Sequence, residues 1–170
     1  MRKLSVSNLL KVSVNKYDDL LVLDCDDMSI FEKFSLLYNN IEKISKEAEN
    51  EIDELKKKYA DGSAEDIEEL RSYVRVNIEY AKKVMSELNA VFGADFTSKV
   101  FRENYEINPD FVPSEIALTE LIEEMIPIME EAYGERIKRN KSKYSADKRG
   151  KHTKSKDELI AAYKEKNADE

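Results

Sequence analysis

From Asp26 to Tyr133 apolar residues recur three and four positions apart, the spacing of amphipathic helices, whereas the stretch before them follows the shorter period of a strand. Lys11-Val12-Ser13-Val14-Asn15 alternates with period two, and Leu20-Leu21-Val22-Leu23-Asp24 is an apolar run rich in strand formers. Asn15 to Asp19 supplies turn residues between them, which predicts an antiparallel β-hairpin over residues 1–25. An isolated hairpin is marginal in water, so this one must pack on the helices or pair with another subunit, and its edge is an assembly surface in waiting.

Helix is predicted from Asp26 or Asp27, either of which can cap it. Its stripe runs through Ile30, Phe34, Leu37, Ile41, Ile44, Ala48, Ile52, Leu55 and Tyr59. Asp61-Gly62 closes it, and Ser63 with Asp66 forms a capping box for the next. There the stripe resumes at Ile67, Leu70, Val74, Ile78, Ala81, Met85, Leu88 and Phe92. Two striped helices on so short a connection make an antiparallel helical hairpin. Gly93 ends the second helix, and Asp95 caps a short third one across Phe96, Val100 and Phe101. Asn108-Pro109 and Val112-Pro113 mark an extended connector, and a fourth helix runs from Ser114 to beyond Tyr133. Pro127 inside it removes a backbone hydrogen bond at about 3 kcal/mol unless the helix bends or divides there.

The fold class is therefore mainly α: a β-hairpin (1–25), a helical domain (26–139) built on a long antiparallel hairpin, and a basic tail (140–170). Charge sharpens the last boundary. Residues 136–156 carry ten Lys/Arg against Asp147 alone, a formal +9, whereas residues 1–135 sum to −14 within a total of −8. That basic stretch has too little apolar surface to offset its ordering entropy and is expected to be flexible, with one further short helix at 157–166. At 170 residues, with 38% charged and only four Gly and three Pro, the chain suits one domain of long helices better than a barrel or a doubly wound sheet. A single cysteine, Cys25, excludes an internal disulfide framework. The start Met-Arg-Lys-Leu-Ser-Val has no signal-peptide run and no window reaches a membrane span, so a soluble cytoplasmic protein is expected, with no membrane contact.

Little in the sequence specifies a reaction. Leu20–Asp26 places Asp24 and Asp26 one residue apart after an apolar strand, like the nucleophile motif of haloacid dehalogenase-type phosphotransferases. Met28 stands where that motif has a small hydroxyl residue, and the further parallel strands and phosphate-cradling glycines are missing. His152 is the single histidine and lies in the basic tail, so neither a nucleophilic triad nor a zinc cluster can be assembled. No enzyme activity, cofactor or metal is expected. The basic residues Lys138, Arg139, Lys141, Lys143, Lys148, Arg149 and Lys151, with Tyr144 among them, can contact an acidic partner or a polyanion. The acidic body repels the same polyanion, which disfavours specific nucleic-acid binding. Apolar residues beyond the needs of two striped helices are Phe92, Phe96, Val100, Phe101, Leu121, Met125 and Met129. They are either core for the third and fourth helices or a Met-bearing groove for an apolar helix.

A short strand pair, a long acidic helical hairpin, the segment Val91-Phe92-Gly93-Ala94-Asp95-Phe96-Thr97-Ser98-Lys99-Val100-Phe101 and a last helix with a Lys/Arg/Tyr-rich end follow one another. In this order, over residues 1–145, the chain resembles the tail assembly chaperones of long-tailed bacteriophages and prophages of Gram-positive bacteria. The resemblance implies a non-enzymatic, self-associating protein of the host cytoplasm, absent from the finished virion. It would coat apolar helices of the tape measure protein and recruit tail tube subunits, and some members are followed by a frameshifted extension. The competing expectation is a scaffolding protein whose stripe pairs with other copies of itself.

Overall fold

A computed structural model describes residues 8–60, 62 and 66–151, with backbone alone at 140 and 142–151. The chain is mainly helical (74%) with an N-terminal two-stranded antiparallel hairpin, as the periodicities predict. Strands β1 (Leu9–Ser13) and β2 (Leu20–Asp24) pair in the register Leu9↔Asp24 to Ser13↔Leu20. Alternation sends Leu21 and Leu23 into the core and leaves Leu20 and Val22 outside. β1 stops short of Asn15 because that side chain builds the turn. Its Oδ1 accepts the N–H groups of Tyr17 (2.9 Å) and Asp19 (3.2 Å), and Asp18 takes the left-handed conformation, φ 58°.

Helix α1 (Met28–Tyr59) starts where Asp27 Oδ1 accepts the Ser29 N–H at 2.9 Å. It ends on Lys56, Lys57 and Lys58, whose charges suit the negative end of the helix dipole. After Gly62, at φ 67°, α2 (Asp66–Phe92) returns. The Ser63 half of the expected capping box lies outside the described residues. Side chains join the two helices in antiparallel order: Asn40 to Glu87 (2.7 Å), Lys83 to Glu47 (2.9 Å), Arg75 to Glu51 (3.7 Å) and the Tyr59 and Ser72 hydroxyls to each other (2.9 Å).

Gly93 stops α2 at φ 118°, a conformation costly to any residue with a Cβ. The one short helix expected next is two, α3 (Phe96–Val100) and α4 (Arg102–Ile107), because Phe101 at φ −95°, ψ 23° serves as the C-cap of the first and the N-cap of the second. Helix α5 (Glu115–Lys151) follows, with Ser114 Oγ accepting the Ala117 N–H at 3.2 Å. Pro127 lies exposed within α5 and does not divide it: an unmade backbone hydrogen bond costs less on a solvent-facing side than in the core.

The molecule divides into two compact units, one through Tyr133 and one from Gly134. In the first, one core joins Leu21, Leu23 and Cys25 of the hairpin, Leu37 of α1, Ala81, Val84, Leu88 and Phe92 of α2, Phe96 of α3, and Leu118 to Ala132 along α5. A polar clamp fastens the hairpin turn over α3 and α4. Lys16 meets Glu103 at 2.7 Å, the Tyr17 hydroxyl donates to Glu106 at 2.6 Å, and Arg102 reaches Asp19 at 3.1 Å while lying over the Tyr17 ring. The Asn15 amide donates to the Lys99 carbonyl at 2.7 Å. In the second unit the backbone is helical through Lys151, where the sequence predicts a flexible stretch from Asn140. The expected helix at 157–166 lies outside the described residues.

Candidate functional site

The seven residues offered as a groove are placed mostly in the core. Phe92, Phe96, Leu121, Met125 and Met129 are buried, and Val100 and Phe101 are half-buried against the same cluster. The Phe92 and Phe96 rings sit 4.9 Å apart, Phe92 also meets Phe34 at 5.9 Å, and Phe101 stacks on Phe111 at 5.7 Å. Phe96, Val100, Leu121 and Met125 do share one crevice with Val12 and Ile128, but its volume is about 100 Å³. That is below the size of an ordinary ligand pocket and offers no trough for a helix. The groove is therefore corrected to core: β1, α3 and α5 close over these side chains.

The open apolar surface lies elsewhere, on the half of α2 nearest its N-terminus. The predicted stripe is continuous along α2, and its lower half, Ala81, Leu88 and Phe92, is buried. Its upper half is not: Ile67, Leu70 and Val74 are 61%, 62% and 45% exposed. The facing helix accounts for only part of this, because Val76, off the stripe, is what α2 buries at that level. On α1 the corresponding residues Ile44, Ala48, Ile52 and Leu55 are half-buried. Beside the stripe, Val74, Ile78 and Tyr80 face Val112, Pro113 and Ile116 across a cavity of about 350 Å³. Ile116, in the first turn of α5, is 71% exposed. Among the described residues nothing covers this tip surface. The signal that could have found it is length: α1 and α2 are far longer than the segment of α5 that packs on them, so one stripe must outrun its cover.

The basic side chains are placed unevenly. Lys138 pairs with Glu135 at 2.7 Å, and Lys141 is exposed. Arg139 is half-buried. Lys143, Lys148, Arg149 and Lys151 fall on the same helix, their side chains outside the described residues, as is His152.

The acid pair at the end of β2 has a local role. Asp24 Oδ1 accepts the Asp26 N–H at 3.0 Å, which tightens the strand-to-helix turn, and both residues are exposed. Asp27 is the helix cap, and the Ser29 hydroxyl and backbone N–H hold its carboxyl below the usual value. Cys25 is buried, with its N–H donating to the Asn8 carbonyl at 2.8 Å. In the turn clamp, hydrogen bonds from Asn15 and then Arg102 lower the Asp19 carboxyl, and those from Tyr17 and then Arg102 lower that of Glu106. The same network raises Tyr17, through Glu106, and Lys16, through Glu103.

Among the described residues no buried side-chain nitrogen or oxygen lacks a hydrogen-bond partner. Nor is any cluster of His, Cys, Asp and Glu arranged to hold a metal ion. No described helix is long and apolar enough to cross a membrane. No protein-family model, curated protein or solved structure matches the chain.

Proposed function

We propose that the chain is a non-enzymatic assembly chaperone that binds and shields apolar helical segments of a client, and that it is a phage tail assembly chaperone acting on the tape measure protein. What carries the reading is the tip stripe of Ile67, Leu70 and Val74, exposed on a helix whose stripe is buried lower down at Ala81, Leu88 and Phe92. A monomer in water gains nothing from such a row of large apolar side chains, and the row has the spacing that takes another helix along it. The charged outer faces of α1 and α2 keep the loaded complex in solution. Recruitment of tail tube subunits falls to the basic segment around Lys138, Arg139 and Lys141. The protein works as a homo-oligomer in the host cytoplasm and leaves before the virion is complete.

The test is co-purification of the untagged chain with the products encoded beside it, followed by mass determination of the complex. Several copies of this chain on one long helical product is the expected result. A homo-oligomer that ignores every neighbour at matched salt and concentration would replace the chaperone reading with the scaffold one.

A further inference from the structure

Charge borders the tip stripe on one side more than the other. At about 100° per residue along α2, Arg71 and Arg75 lie on the same flank of Ile67, Leu70, Val74 and Ile78, and Lys82 continues that flank one turn below Ile78. All three cations are exposed, and Arg75 reaches Glu51 of α1 at no better than 3.7 Å. The other flank holds Tyr73 and Asn77, with Asp66 and, beside Tyr73, Glu69 as its acids, while Glu68 and Glu79 lie further round the helix, beyond the cations. A body of strong net negative charge thus presents a basic border at its apolar opening.

Resting on the helix-binding reading above, we infer that the tip selects an amphipathic helix of another protein whose apolar stripe is bordered by acidic residues. The stripe continues the one that the core fills lower on α2, so an incoming helix extends an interface already built for helix packing. Its larger side chains have a seat in the cavity between Val74, Ile78 and Ile116. Charge distinguishes this occupant from a second copy. In a two-fold antiparallel pairing of α2 on α2, each flank meets itself, so Arg71, Lys82 and Arg75 would face their own counterparts. In a parallel pairing they would meet Tyr73 and Asn77, with Asp66 and Glu69 as the acids of that flank. The antiparallel arrangement sets like charges against each other and the parallel one offers two acids among neutral side chains, whereas a helix bordered by acids along its length meets the whole cationic flank.

Two synthetic amphipathic helices with one leucine stripe, bordered by Glu in one and by Lys in the other, test this against the full-length protein by fluorescence anisotropy. The Glu-bordered helix should bind about tenfold more tightly at low salt, the combined effect of a few exposed ion pairs. The gap should close toward about 1 M salt, where the screening length falls to about 3 Å. Arg71→Glu with Lys82→Glu, at exposed positions that leave the thermal melt unchanged, should reverse the preference. Equal binding of the two helices, or tighter binding of the Lys-bordered one, would overturn the charge selection and leave the helix-binding reading standing. Binding of neither helix would overturn both, and sedimentation of a dimer that loses mass on Leu70→Glu would give the surface to a second copy.

Discussion

The two ends of the α1–α2 hairpin carry the same sequence pattern and have opposite fates. At the base, α5, α3 and the β-hairpin close over Leu37, Val84, Leu88 and Phe92, and these side chains lose nearly all contact with water. At the tip, Ile67, Leu70 and Val74 continue the rhythm with nothing on them among the described residues. Periodicity reports that a helix has an apolar side; only the remaining elements decide whether that side is filled from within the chain or from outside it. On the function we propose, the open end is where the client helix docks.

The strongest way to sharpen the contrast is truncation at matched positions. Leu88→Ala, at 0% exposure, should cost about 2–5 kcal/mol in urea unfolding, while Leu70→Ala at the tip should stay within about 0.5 kcal/mol of the parent. Equal losses would mean that the tip is core after all. Gly93→Ala comes next: forcing a Cβ onto φ 118° at the end of α2 should destabilise the base by about 1–3 kcal/mol, although the nearest atom to that Cβ, an Asp95 carboxylate oxygen at 3.7 Å, leaves room for it. A neutral result would show that the chain relaxes out of the left-handed region there.

The turn clamp at the base should respond to pH, and the tip should not. Asp19 and Glu106 have carboxyls lowered from ordinary values of 3.8 and 4.5, so their contribution is complete above those values and is lost as pH falls through the depressed ones. Tyr17 and Lys16 are raised from 10.0 and 10.5, so theirs is complete below those values and is lost as pH rises past them. Amide resonances of β1, β2 and α4 should therefore shift below about pH 4 and above about pH 10, and Arg102→Ala should move the acid limb upward. Tip resonances that follow the same curve would deny the clamp its local character. The smallest effect is expected at Gly134, which lies in the helical run of α5 with nothing within 4 Å of an added Cβ. Gly134→Ala should raise stability by about 0.5–1 kcal/mol in thermal unfolding.

Much of this fold was legible before any coordinates. The hairpin, the long helical pair, the break at Gly93 and the last helix follow from period, caps and the rarity of Gly and Pro. The turn over Asn15 to Asp19 follows from its residue types, and Asn15 builds it; not legible was Phe101, where one residue joins two short helices. The site was less legible. The Phe/Met set was read as core or groove, and burial makes it core, because large apolar residues near a helix junction are what the base needs to join its layers. The stripe at Ile67, Leu70 and Val74 is legible as a stripe, but not whether it packs within the chain or against another one. Its exposure depends on where α5 begins relative to α2, a tertiary fact that no local window contains.

On the function we propose, the tip stripe is a surface for another helix. Leu70→Glu with Val74→Glu, compared with the parent chain by co-purification with its helical client and by thermal melting, tests it most directly. Client binding should be lost while the melting temperature is unchanged within error. Retained binding would place the client elsewhere, and a collapsed melting curve would show that these side chains hold the monomer together.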